Sequence, residues 1–209
     1  MSDLTSAAID LLKDLIGLPS FSKQEDKTAN RIGEWFNHYG IPYEREGNNL
    51  WAKNKAFDPQ KPTLLLNSHH DTVKPNAAYT NDPFEAKILD GKLYGLGSND
   101  AGGALVSLIA LFTHYFDKEN PKYNLLVVAS AEEEIAGDNS LRGLIPKLPK
   151  IDVAIVGEPT EMNLAVAEKG LIVFDAVIKG TPGHAAHPNA DNPIMKLPEV
   201  LNWFENFRL

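Results

Sequence analysis

The stretch Thr63-Leu-Leu-Leu-Asn-Ser-His-His-Asp-Thr-Val73 sets a short apolar run directly against a cluster of polar side chains. A run this short, apolar without a period of two, suits a strand buried on both faces, as in a sheet sandwiched by helices. Leu125-Leu-Val-Val-Ala129 and Val153-Ala-Ile-Val156 repeat the pattern, and the intervening segments 102–116 and 139–148 read as helices. Working outward, Leu4, Ala8, Leu11, Leu12 and Leu15 form one helical stripe over residues 3–17, stopped by Pro19. Ser22 and Glu25 make a capping-box pattern that opens a second helix, with Ile32, Trp35 and Phe36 inward and Gly40 at its end. Residues 41–46 and 50–54 read as two short strands around Gly47-Asn48-Asn49. The alternation predicts an α/β class with a mostly parallel or mixed sheet sandwiched by helices.

After Glu168 the texture changes. Residues 171–178 read as a strand, Gly180-Thr-Pro-Gly183 as a turn and 192–207 as a helix with Ile194, Leu197, Leu201 and Phe204 apolar. This predicts a first domain over 1–168 and the start of a smaller α+β unit over 169–209.

Composition narrows the chemistry. The net charge of −8 opposes a nucleic-acid or anionic-membrane partner, since both favour basic patches. There are no cysteines, which excludes disulfides, thiolate nucleophiles and Cys-ligated zinc. Asp3, Asp10 and Asp14 sit where a secretory signal would be basic, and no apolar run approaches the roughly 20 residues that span a bilayer. The expectation is a cytoplasmic protein acting on a small molecule.

Polar residues gather at the ends of the apolar runs, and carboxyl ends of strands are where ligands bind in open α/β sheets. His69 and Asp71, two residues apart on extended chain, point to one side, so one can bind a metal while the other holds the second ring nitrogen. The segment from Gly95 to Gly103 presents Asp100 at the start of a helix; as a phosphate loop it has the wrong spacing and no Lys. Glu132, Glu133 and Glu134 follow the run 125–129, and adjacent carboxylates there repel unless a cation relieves them. Glu158 follows 153–156 and precedes Pro159. Singly, these read as an exposed loop, a tight turn, a solvated helix start and a strand exit. Together His69, Asp100, Glu134 and Glu158 are oxygen and nitrogen donors at four successive strand ends, a set that suits catalytic zinc or a related divalent ion. His184 in Gly183-His184-Ala185-Ala186-His187-Pro188 is a fifth candidate.

In this order the motifs His69-x-Asp71-Thr-Val, Gly95-x-Gly-Ser-x-Asp100, Glu133-Glu134, Gly157-Glu-Pro-Thr160 and Gly183-His184-x-x-x-Pro188 resemble those of the M20 metallopeptidases and deacylases. The resemblance spans nearly the whole chain and looks closest to the acetylornithine deacetylase branch. It implies a zinc-exopeptidase-like catalytic domain with an inserted lid and dimerisation domain, and two divalent ions, Zn²⁺ first and Co²⁺ second. By the same resemblance His69 binds one ion, Asp100 bridges both across a cis Asp100–Ala101 peptide, Glu134 binds the second ion and Glu158 the first. Glu133 would be the general base, Asp71 would orient His69, and His184 would reach the site of the partner in a homodimer.

The activity so implied is hydrolysis of the amide of an N-acyl amino acid. N-acetylornithine of arginine biosynthesis is the first choice, with N-acetylcitrulline or N-succinylornithine beside it. A dipeptidase, an aminopeptidase and a succinyl-diaminopimelate desuccinylase are the alternatives in the family; a non-catalytic metal-binding module is the alternative outside it. Two departures stand out: Ala101 sits where many relatives carry Lys before the double glycine, and the final metal-binding His of the family has no counterpart before Leu209. The second leads to the expectation that these 209 residues alone hydrolyse little.

Overall fold

The structure, a computed structural model, describes residues 2–119, 121–167, 169–170 and 172–208. It divides into two compact units, Met1–Asn163 and Leu164–Leu209. Glu168 and Leu171, where the sequence places a domain end and a strand start, lie outside the described residues.

The first unit is built on a five-stranded sheet. Its strands are β1 (Glu44–Glu46), β2 (Asn49–Lys53), β3 (Thr63–His69), β6 (Asn124–Ser130) and β7 (Val153–Val156), and its order is β1-β2-β6-β3-β7. β3 runs parallel to both β6 and β7, while β2 pairs antiparallel with β6 and β1 with β2. The sheet is therefore mixed. A separate hairpin joins β4 (Lys87–Leu89) to β5 (Lys92–Tyr94). Its turn, Asp90-Gly91, has positive φ at both residues (51° and 74°), the backbone that a two-residue hairpin turn favours.

Alternation along the strands decides the two layers. Leu50, Ala52, Leu66, Val127 and Ala129 face α1 (Ser2–Ile16), α2 (Asp26–His38) and α3 (Gly103–Tyr115). From the helices come Leu11, Leu15, Ile32, Phe36, Leu105, Ile109 and Phe112, all buried. Each such side chain contributes roughly 1.5–3 kcal/mol by leaving water. Trp51, Leu65, Leu126 and Val128 face the other way, onto Leu144 and the partly buried Leu141, Leu148 and Ile151.

Several expectations shift. The helix expected at 139–148 is one turn, α4 (Leu141–Leu144), continued by a 3₁₀ turn over Ile145–Lys147. Pro146 has no N–H to give an α-helical ladder. β7 is an edge strand with Val153, Ile155 and Val156 exposed, although its apolar run suggested burial on both faces. α2 begins at Asp26, and Ser22 does not cap it: its hydroxyl donates to Asp71 Oδ2 at 2.7 Å. Gly40, with φ 65°, follows that helix as expected.

The second unit contains α5 (Pro193–Asn206), N-capped by the Asn192 side chain, which accepts the Ile194 N–H. Phe174 packs edge-on against Trp203, Phe204 and Phe207. Residues 172–178 form no strand, because an extended segment becomes a ladder only beside a second one and none pairs with them among the described residues. No helix among the described residues is long and apolar enough to cross a membrane.

Candidate active site

Because β6, β3 and β7 run parallel, their carboxyl ends share one edge. His69 closes β3, the segment 131–135 leaves β6, and Gly157-Glu158 leaves β7. The ladder continues past the last strand residue: the Gly157 N–H donates to Asn67 O at 2.7 Å, and the Ser68 hydroxyl donates to Gly157 O at 2.8 Å. These bonds tie the Glu158 exit to the His69 strand.

Asp100 arrives from the turn Ser98–Gly102 that precedes α3. The Asp100–Ala101 peptide is cis, as the sequence resemblance implied. Gly97 opens this turn with φ 73° and accepts the Gly102 N–H at 2.8 Å. A Cβ on Gly97 would lie 2.7 Å from Thr72 Cγ2, so the backbone of the turn passes close to the His69 loop.

Around the buried His69 ring the carboxylates converge. Asp100 Oδ1 is 3.2 Å from Nε2, and Glu133 Oε2 and Glu158 Oε1 are each 3.8 Å from it. One donor atom from each of His69, Asp100 and Glu134 lies within 4.8 Å of the others, a group that could hold a metal ion. On the other edge of the ring, Nδ1 is 3.0 Å from the Asp71 carbonyl oxygen and 3.4 Å from Asp71 Oδ1. A carbonyl only accepts, so Nδ1 carries a proton, and Nε2 is the nitrogen that faces Asp100: it donates to that carboxylate while the ring is charged and offers a lone pair to a metal once that proton leaves. His70 goes elsewhere: Nε2 meets Asn48 O at 2.9 Å, Nδ1 meets Thr28 Oγ1 at 2.8 Å, and burial pushes its pKa down.

The electrostatics suit a cation. Burial alone would push His69 down, yet the Asp71 hydrogen bond and charge, with Glu158 and Glu133, carry it up to about 9. Burial pushes Glu134 up, helped by Asp100, and pushes Glu158 up, helped by Glu133 and Asp100. Asp71 goes down despite its burial, because His69, Ser22 and two backbone amides donate to it. Carboxylates crowded against one imidazole favour protons or a metal. This donor set fits a divalent ion, and it needs no thiolate.

Of the sequence-derived candidates, His69, Asp71, Asp100, Glu133, Glu134 and Glu158 come together in the first unit. His184 belongs to the second unit, where its Nδ1 accepts the Ala186 N–H and its ring stands 5.6 Å from His187. Sequence reasoning missed Glu25, which is fully buried and reaches the segment after β6, and it read Ser22 as a helix cap. It also left Glu132 undistinguished. That residue is buried at φ 53° and its carboxylate accepts from Asn139 Nδ2 at 2.8 Å, away from His69.

The sequence pattern described as Peptidase family M20/M25/M40 matches residues 65–197. Similar curated relatives include the succinyl-diaminopimelate desuccinylases of Rhodospirillum centenum and Parvibaculum lavamentivorans. The first is 29% identical over 93% of this chain and 55% of its own length. The second is 31% identical over 92% of this chain and 53% of its own length. The chain thus spans about half the length of the curated relatives it matches. Among solved structures, an M20 family metallo-carboxypeptidase from Sulfolobus solfataricus aligns with a TM-score of 0.58 at 27% identity, over 75% of this chain and 37% of that one. A dinuclear metal-binding M20 peptidase from Bacillus subtilis shares the fold, with a TM-score of 0.57 at 20% identity over 75% of this chain and 43% of that one.

Proposed function

The chain belongs to peptidase family M20/M25/M40, whose pattern covers well over half of it, and on that premise we propose that it carries the metal centre of an amidohydrolase acting on N-acyl amino acids. One observation supports this most: donor atoms of His69, Asp100 and Glu134 lie within 4.8 Å of one another, with Glu133 Oε2 3.8 Å from the same imidazole nitrogen.

In this reading His69, Asp100, Glu134 and Glu158 would hold two divalent ions, Zn²⁺ or Co²⁺, with Asp100 a ligand to both. When bound, such ions polarise the scissile carbonyl and acidify water. Glu133 takes the proton of the attacking water and returns it to the leaving amine, the work of one carboxylate used twice. Its side chain is 53% exposed, so a substrate can approach it. Asp71 and its carbonyl keep the Nδ1 proton in place, which leaves Nε2 for the metal. His184 adds a donor to the substrate's carbonyl oxygen from the second unit of a partner copy.

For the acyl group, the desuccinylase relatives favour N-succinyl-diaminopimelate. The motif resemblance favours N-acetylornithine. The Sulfolobus solfataricus neighbour supports a peptidase as the second reading. The test is to load the gene product with Zn²⁺ or Co²⁺, measure the bound metal, and assay those two substrates beside a dipeptide. Hydrolysis of one, lost on chelation and regained with metal, is the expected outcome. Bound metal without hydrolysis of any amide would leave a binding module in its place.

A further inference from the structure

Four consecutive backbone amides after β6 each donate to a side-chain oxygen from a distant part of the sequence. The Ala131 N–H goes to Asn49 Oδ1 at 3.0 Å and the Glu132 N–H to Glu25 Oε1 at 3.2 Å. Those of Glu133 and Glu134 go to Asp71 Oδ1 and Oδ2, each at 3.1 Å. Asn49 also closes the far end of the same loop, its Nδ2 donating to Asn139 O at 2.5 Å. Glu25 is 0% exposed and Asn49 3%.

We infer that Glu25 and Asn49 are positioning residues that aim Glu133 and Glu134, an inference that rests on the amidohydrolase reading. The turn's own bonds, Ala136 N–H to Glu133 O at 2.8 Å and Gly137 N–H to Glu132 O at 2.9 Å, leave the four amides before them to the cradle. Glu132 and Ala136 both sit at positive φ, 53° and 47°, a region that side chains other than glycine occupy only when their surroundings impose it. The surroundings here are the cradle. Glu25 Oε1 takes the Lys23 N–H at 2.8 Å as well as the Glu132 N–H, and Oε2 takes Asn48 Nδ2 at 2.9 Å. That leaves the carboxylate one fixed orientation. The same segment supplies Ser22, whose hydroxyl holds Asp71 Oδ2. The loop before α2 therefore grips the acidic turn twice, directly through Glu25 and through Ser22 by way of Asp71. Neither Glu25 nor Asn49 touches the carboxylates of Glu133 or Glu134; each acts on the backbone that carries them.

The test compares Glu25→Ala, Glu25→Gln and Asn49→Ala in the metal-loaded protein. Glu25→Gln keeps an acceptor for the Glu132 and Lys23 amides, and Asn48 can turn its own amide to accept from the new NH₂. Expected for Glu25→Ala is a kcat lower by about tenfold or more with KM within about twofold, the pattern of a lost transition-state alignment. The visible spectrum of the Co²⁺-loaded protein should change too, and the Glu132–Glu134 amides should exchange hydrogen faster. Glu25→Gln should restore kcat to within about threefold and restore the spectrum. A folded Glu25→Ala with parental kcat, spectrum and exchange would overturn the inference. Should that variant not fold, Asn49→Ala, which grips the turn from the other side, decides by the same readouts. A parent that binds no divalent ion, or keeps its rate in Glu133→Gln, removes the amidohydrolase reading and this inference with it. A parent that passes both checks while Glu25→Ala behaves as wild type removes this inference alone.

Discussion

The backbone N–H of Glu134 donates to Asp71 Oδ2 at 3.1 Å, so the residue beside His69 also fixes the backbone of a neighbouring candidate ligand. Asp71 is wholly buried and also accepts from Ser22 and the Glu133 amide. Asp71→Ala would strand two amides and a hydroxyl and remove the carboxylate facing His69. Breaking a buried pair of this kind costs about 3–5 kcal/mol, and that loss is expected in chemical denaturation of the metal-free protein. A loss below about 1 kcal/mol, the net worth of one ordinary hydrogen bond, would mean that the stranded groups find other partners.

Glu133→Gln should lower turnover at least about 100-fold, the lower end of general-base contributions. Its amide stays bonded to Asp71, since the backbone is unchanged. Metal content should therefore stay near that of the parent. Near-parental turnover with full metal would take Glu133 out of the proton transfers.

Metal affinity should rise with pH. His69 in the metal-free chain stands at about 9, above its ordinary 6.5. A folded value above the ordinary one means the proton stabilises the metal-free fold fully below about pH 6.5, and the contribution is lost as pH rises through about 9. A cation at Nε2 must displace that proton, so apparent affinity should climb with pH up to about 9, by up to about tenfold per unit, and then level off. Calorimetry at pH 7.5 in buffers of different ionisation enthalpy should report about one proton released per cation at this nitrogen. Affinity independent of pH would exclude His69 as a ligand.

Gly97→Ala should harm both fold and metal binding. The position has φ 73°, and the added methyl would meet Thr72 Cγ2 at 2.7 Å. Alanine at positive φ costs more than about 1 kcal/mol. Because Gly97 O also holds the Gly102 N–H, the Asp100 turn should shift with it. A lower melting temperature together with weaker metal binding is expected. A lower melting temperature with parental metal affinity would separate the turn from the metal site.

Much of this protein was legible in its residues. The apolar runs at 63–67, 125–129 and 153–156 became β3, β6 and β7, the apolar residues read in α1 and α2 face the core, and the helix expected over 102–116 is α3. The hairpin at 87–94 was missed although Asp90-Gly91 is a readable signal for it. The short α4 and the unpaired segment 172–178 were misread because local propensity cannot report whether a partner lies beside a segment.

What the sequence determined by itself was the inventory: three apolar strands, of which β3 and β6 are buried, His69, Glu134 and Glu158 after their ends, and Asp100 in the turn before α3. The parallel pairing of β3 with β6 and β7 then puts those ends on one edge. Only the tertiary structure showed where each member of that inventory points. Three adjacent glutamates look alike in sequence, yet Glu132 turns inward to Asn139 while Glu133 comes to 3.8 Å from His69 and Glu134 joins the donor group. Ser22 and Glu25 form a local capping pattern, yet they bond to Asp71 and to the Glu132 amide, 49 and 107 residues away. The physical reason is one of competition. A buried backbone amide must find an acceptor, and which acceptor reaches it depends on the path of chain segments that no local pattern encodes.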